Sequence, residues 1–346
     1  MKRLIVVLIA LLAASTVSAQ GLDRDIVLTE DGKLLTIQTV LASKFPELES
    51  NSSSVIRLTV QKDDQTTSVF VPASLKGGIN SDPSLAYDAA SDTVFAFWQH
   101  MPNPMSSELL FCSYYGGKWS EPTSIDSASF HIRFHLRIGV TRAESVSNDA
   151  GEPALQPQMI IHAIWWDQSG MGESGRYAML VMNSQRVAGP VVVQDLLSFT
   201  ENTSSTPAEI SPNFDRDFFR HPAIFESPNH DSVDVVFANW QTNRFERVEI
   251  KPRADRQING FLHVPVGRHK GEFNPPPEFT RTEANKISII SSPGSNNYGF
   301  YFTEMNRLTY LPYMNGKWSA KRSVALSETL SAETAVDALR KLISSE

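Results

Sequence analysis

The 346-residue chain has a single cysteine, Cys112. No intrachain disulfide can form, so stability must come from core burial, which a chain this long can supply in one or two domains. Within LLFCSYY, Cys112 reads as a small buried hydrophobe rather than a reactive thiol. There is no CxxC, no HExxH and no EF-hand loop, so no motif names a metal or a cofactor. Past the first residues, no apolar run approaches the roughly 18 residues of a membrane-spanning helix. Positive charge is scarce. Lys and Arg number 31 against 38 Asp and Glu, a formal net charge of −7. That excludes the basic footprint of general nucleic-acid binding. Helical periodicity is nearly absent before residue 325.

The chain opens with basic Lys2 and Arg3, the apolar run Leu4 to Ala14, and Val17-Ser18-Ala19. This order predicts a secretory signal peptide cut after Ala19, hence an exported, periplasmic or extracellular protein. Residues 1–19 are thus set apart from the rest.

Short apolar runs bounded by Gly, Pro, Asn, Asp and Ser fill the middle, an all-β pattern. They repeat. TVFAFWQH (93–100), IIHAIWWDQ (160–168), VVFANWQT (235–242) and YGFYFTE (298–304) each end in an aromatic and then a polar residue. The matching aromatics are Trp98, Trp166, Trp240 and Phe302, spaced about 60 to 75 residues apart. LLFCSYYGGKWSEPTSI and LTYLPYMNGKWSAKRSV share strand, tight turn, Gly-Lys-Trp-Ser and strand. Their turns offer Gly where φ must be positive. In TVFAFW both parities are apolar, which requires a sheet buried on both faces. Radially packed blades meet that requirement best. The prediction is an all-β propeller over residues 20–326, of five four-stranded blades, with six as the alternative count. The opening strands are expected to complete the last blade and so close the ring. Residues 327–346 differ. Ser331 as N-cap and the stripe Ala335, Val336, Leu339, Leu342, Ile343 predict a short amphipathic helix. Polar insertions at 143–157 and 197–217 read as loops.

The stretch SDPSLAYDAASDTVFAFWQH…LLFCSYYGGKWSEPTSI resembles a blade of the sialidase-like β-propellers, which carry bacterial neuraminidase repeats and Asp-boxes. The likeness is good over 81–125, fair over 285–325 and weak over 130–260. Of the Asp-box Ser-x-Asp-x-Gly-x-Thr-Trp, Gly117-Lys118-Trp119-Ser120 and Gly316-Lys317-Trp318-Ser319 keep only Gly and Trp. The resemblance implies enzymes that hold an anionic sugar with three arginines and use a Tyr–Glu nucleophile and an acid/base Asp. Phe219-Arg220-His221-Pro222 resembles their Phe-Arg-Ile-Pro motif, displaced to mid-chain. Arg133 and Arg137 would be the other arginines. Tyr301, Tyr310, Tyr313 and Glu304 are the late candidates. None stands at a spacing that demands the chemistry.

FHIRFHLRI (130–138) alternates apolar residues with His131, Arg133, His135 and Arg137. On an inner strand this face would line the central channel and hold a carboxylate, a sulfate or an acidic side chain. On an outer strand its charges would block edge pairing. The two histidines would lie roughly 13 Å apart, too far to share a metal. Trp98, Trp166 and Trp240 would either stack sugars at the channel mouth or pack between blades. Asp167 and Arg220 complete the candidate ligand set. The first functional reading is a monomeric exported propeller that binds an anionic glycan, a peptide or a protein. The alternative is a sialidase-like hydrolase or lyase acting on an anionic glycan.

Overall fold

Among the described residues, five antiparallel sheets of four or five strands follow one another along the chain, with one two-stranded hairpin set within the fourth. The computed structural model describes residues 24–29, 33–62, 65–143, 158–169, 172–183, 186–187, 192–195, 319–320 and the strands named below. The first sheet holds β1 (Arg24–Leu28), β2 (Leu34–Leu41), β3 (Ser54–Lys62) and β4 (Gln65–Phe70). The second holds β5 (Ile79–Asp88), β6 (Thr93–Asn103) and β7 (Ser106–Tyr115), with β8 (Lys118–Trp119) and β9 (Thr123–Ser129) both paired to β7. The third holds β10 (Ile132–Ala143), β11 (Gln158–Ser169) and β12 (Gly172–Asn183), with β13 (Arg186–Val187) and β14 (Val192–Asp195) on β12. The fourth holds β15 (Ala223–Glu226), β16 (Val233–Asn239) and β17 (Arg244–Lys251). A small hairpin, β18 (Gln257–Ile258) and β19 (Phe261–Leu262), precedes its last strand, β20 (Val266–Phe273). The fifth holds β21 (Ile287–Ser291), β22 (Tyr298–Glu304) and β23 (Arg307–Met314), with β24 (Lys317–Trp318) and β25 (Arg322–Ala325) on β23. Helix among the described residues is limited to two 3₁₀ turns, Ala42–Lys44 and Pro72–Leu75.

The second sheet shows why both parities are apolar. Val94, Ala96 and Trp98 of β6 pack in one cluster with Ile37, Ile56 and Leu58 of the first sheet. Phe95 and Phe97 pack in another with Leu136, Ile161, Trp165 and Leu180 of the third. Sheet faces sheet on either side, so neither parity meets water. The first strands carry the arrangement around. β1 lies against β5, β5 against β10, β10 against β15, β15 against β21, and β21 against β1. Closure therefore comes from packing of first strands. The expected completion of the last sheet by the opening strands does not occur: β1 pairs with β2, and the fifth sheet is built from its own consecutive strands.

The two Gly-Lys-Trp-Ser hairpins correspond. Tyr114 pairs with Trp119 and Tyr313 with Trp318. Ser120 N donates to Ser113 O at 2.8 Å, as Ser319 N donates to Pro312 O at 2.9 Å. Gly116 and Gly117 have φ of +55° and +78°, the two positive angles that a two-residue type I′ turn requires. The proposed C-terminal helix lies outside the described residues, as do loop residues 144–157 and 197–217.

Candidate functional site at the strand-start end of the ring

The first strands of the second and third sheets each carry a bulge at the same height. In β5, Ser81 pairs with Gln99 and Ser84 with Phe97, so Asp82 and Pro83 together oppose Trp98. In β10, Phe134 pairs with Trp166 and Arg137 with Ile164, so His135 and Leu136 together oppose Trp165. Two residues facing one is the mark of a bulge, which re-aims side chains and sharpens the local twist. The match makes Trp165, not Trp166, the counterpart of Trp98. Both are fully buried, and both face the preceding sheet. The sequence repeat was therefore aligned one residue off in the third sheet. Trp98 presents no surface to a sugar. Its Nε1 donates to Asn80 Oδ1 at 3.1 Å, in the core between the first two sheets.

The bulges are tied by polar bonds between neighbouring first strands. Asp25 of β1 accepts from Ser84 Oγ at 2.6 Å and Leu85 N at 3.1 Å. Ser84 Oγ in turn accepts from Ile138 N at 3.1 Å. Asp82 Oδ2 accepts from Leu136 N at 2.7 Å. Asp82 has φ +48°, a left-handed backbone that costs a non-glycine residue roughly 1 kcal/mol or more. Its side chain is 20% exposed, and Arg137 Nη1 lies 4.0 Å from its Oδ1. Arg137 also donates to Leu136 O at 2.6 Å.

The bulge also breaks the His/Arg face. One extra residue between Arg133 and Arg137 inverts the parity, so the two arginines stand on opposite faces of β10. Arg133 turns to the second sheet and is fully buried. Its Nη2 donates to Asp126 Oδ2 at 2.7 Å and its Nη1 to Ser107 O at 2.9 Å. Its Nε lies 3.7 Å from Asp167 Oδ2 without a hydrogen bond. The expectation that Arg133 lines an open channel is corrected here: its guanidinium is an internal ion-pair partner of two aspartates. His131 Nδ1 lies 2.6 Å from Asp167 Oδ1, and His131 is about one third exposed. Phe130, expected on the buried side, is 61% exposed with φ +62°. The regular alternation of 130–138 ends there, because β10 begins only at Ile132.

Behind this end lies a buried hub. Asn80 Nδ2 donates to Ser54 O at 2.7 Å and Ser74 O at 2.9 Å. Its Oδ1 takes the Trp98 indole and lies 3.0 Å from His100 Nδ1. Burial lowers the His100 pKa, against the opposing pull of Glu108. At the other end of the third sheet, His162 sits between Thr141 Oγ1 and Tyr177 OH, each at 2.8 Å. Burial lowers its pKa to about 3 and raises that of Tyr177.

Other sequence candidates are less informative. His135 and Trp166 are placed by their strands alone. Arg220 and Trp240 lie outside the described residues. Tyr301 pairs with Tyr310, which is buried, and Glu304 pairs with Arg307. Among the described residues no group of three His, Cys, Asp or Glu converges as a metal site. Sequence reasoning passed over Asp82 and Asp25, and placed Phe130 on the apolar side of its strand. The Asp-Pro pair at the head of β5 was the available signal for the first of these.

No family model matches the sequence, and no curated protein matches it. Several solved structures are similar in chain trace, three of which follow. A GH62 hydrolase in complex with xylotriose has 10% identity and a TM-score of 0.42, over 87% of this chain and 89% of that one. A polysaccharide lyase of family PL25, an ulvan lyase, has 8% identity and a TM-score of 0.32, over 87% and 70%. A protein of unknown function from Dyadobacter fermentans has 10% identity and a TM-score of 0.30, over 88% and 94%. Likeness at this level assigns neither family nor activity.

Proposed function

We propose that this is an exported five-bladed β-propeller that binds a glycan at the strand-start end of its ring. Five consecutive sheets with first strands in cyclic contact support the blade count. The Lys-Arg, apolar and Val-Ser-Ala order at the start supports export. The observation that carries the site is Asp82. It is a partly exposed carboxylate on a bulged inner strand, held in a left-handed conformation. The ligand class follows from charge. Arg133 and Arg137 are engaged with Asp126, Asp167 and Asp82, which turns the reading from an anionic to a neutral glycan. Hydroxyl groups suit such a site, because carboxylates accept from them directly.

The test is a glycan array followed by calorimetry on wild type and Asp82→Asn. Asn tolerates a left-handed φ and still accepts from Leu136 N, so the fold should persist. Binding by wild type and a tenfold or greater loss in the variant support the reading. Unchanged affinity would overturn the site.

A second reading, hydrolysis, is favoured by one observation: Asp25 and Asp82 both stand on first strands in contact. Glycosidases use paired carboxyl groups. Release of reducing ends from a bound polysaccharide, abolished by Asp82→Asn, would replace binding by catalysis.

A further inference from the structure

We propose that Phe130 is a sugar-stacking platform, with the His131–Asp167 pair as its polar edge; this rests on the glycan-binding reading. Two costs coincide at Phe130. Its aromatic ring is 61% exposed, and its backbone has φ +62°. A bulky residue in the left-handed region is an outlier, and Gly or Asn would sit there with less strain. Neither cost is repaid by burial, which points to a role for the displayed ring itself. The conformation is held from outside, because Phe130 N donates to Met105 O at 2.8 Å, on the β6–β7 turn. Met105 is itself 47% exposed.

The neighbour supplies the other half of an amphipathic site. An extended chain would send Phe130 and His131 to opposite sides, but the left-handed step at Phe130 interrupts that alternation. His131 Nδ1 is fixed by Asp167 at 2.6 Å. Its Nε2 has no hydrogen-bond partner among the described residues and is left to face a ligand. Asp167 is backed by Arg133, which keeps the pair in place. A pyranose ring has the matching chemistry, with an apolar face of C–H groups and a rim of hydroxyls. An aromatic face together with a few placed polar groups is the usual composition of a small-molecule site. The occupant is therefore a neutral oligosaccharide rather than an acidic one, because the chain carries a net charge of −7.

The experiment uses the full mature chain and arrays of neutral xylo-, cello-, manno- and galacto-oligosaccharides, with affinity for the best probe measured by calorimetry. Phe130→Gly removes the ring and relieves the backbone. It should weaken binding at least tenfold while leaving the melting temperature unchanged or higher. Phe130→Tyr should restore binding. His131→Gln should weaken it severalfold. If Phe130→Gly keeps wild-type affinity while Asp82→Asn loses it, the platform is wrong and the central site stands. If wild type binds no probe, the proposal falls together with the functional reading. If Phe130→Gly instead abolishes self-association seen by light scattering, the ring is a contact between copies and the proposal is overturned.

Discussion

Replacing Arg133 by Met removes a guanidinium and keeps most of the apolar stem. The side chain is fully buried. The change strips Asp126 of its 2.7 Å partner, leaves the buried Ser107 carbonyl without its 2.9 Å donor, and takes the cation from beside Asp167. Removing one partner of a buried ion pair costs about 3–5 kcal/mol, because the other charge stays behind. Two features favour the lower end. The Asp126 side chain is 27% exposed and can regain water, and Asp167 retains His131. The expected loss is thus about 3 kcal/mol. Arg137→Gln, at a longer 4.0 Å pair on a partly exposed side chain, should cost about 1 kcal/mol or less. Urea unfolding of each variant reads both numbers, provided the m-value is unchanged. The double variant with Asp126→Asn should lose less than the sum of the two singles, because the two residues share one interaction. A loss under 1 kcal/mol for Arg133→Met, or equal losses for the two arginines, would refute the assigned parity of β10.

Three further outcomes follow from buried groups. The folded chain holds His162 neutral with a pKa of about 3, whereas an unfolded His titrates near 6.5, so the unfolded state binds the extra proton between these values. That contribution is full above about pH 7 and shrinks as pH falls, by about 2 kcal/mol at pH 5, and His162→Gln should flatten the slope measured by denaturation at a series of pH values. Asn80→Leu abandons two carbonyls, the Trp98 indole and His100, and should cost about 3–5 kcal/mol, read as a lowered urea midpoint. Burial pushes the Cys112 thiol up, so it should resist a thiol reagent in the native state and react on unfolding.

The architecture was legible because it is set by burial repeated along the chain. TVFAFW is apolar at both parities, and that alone requires a neighbour on each face. The Gly-Gly turn and the paired Trp-Ser hairpins were legible because positive φ and cross-strand pairing leave local marks. Ring closure was not legible. Whether β1 joins the last sheet by hydrogen bonds or rests against it depends on registers far apart in sequence, and no local residue records that choice.

The candidate site was hidden for a sharper reason. Reading FHIRFHLRI as one face assumes that every residue advances the strand by one position. A bulge violates this at a single point, and everything beyond it changes side. Arg133 therefore lies against Asp126 and Asp167, while Arg137 stands across the strand near Asp82. A separate choice, between two successive tryptophans on the regular strand β11, matched Trp98 with Trp166 when its counterpart is Trp165. Bulges and left-handed residues are also the places where a sheet re-aims side chains. The features that defeat period-two reading are thus the ones that build Asp82 and Phe130 into this end of the ring. Two adjacent strands bulged at the same height, each opposite a buried Trp, indicate that the irregularity belongs to the repeat. Straightening one bulge, by deleting Pro83 for example, would return the rest of β5 to the wrong face and break the Ser84 bonds to Asp25 and Ile138 together.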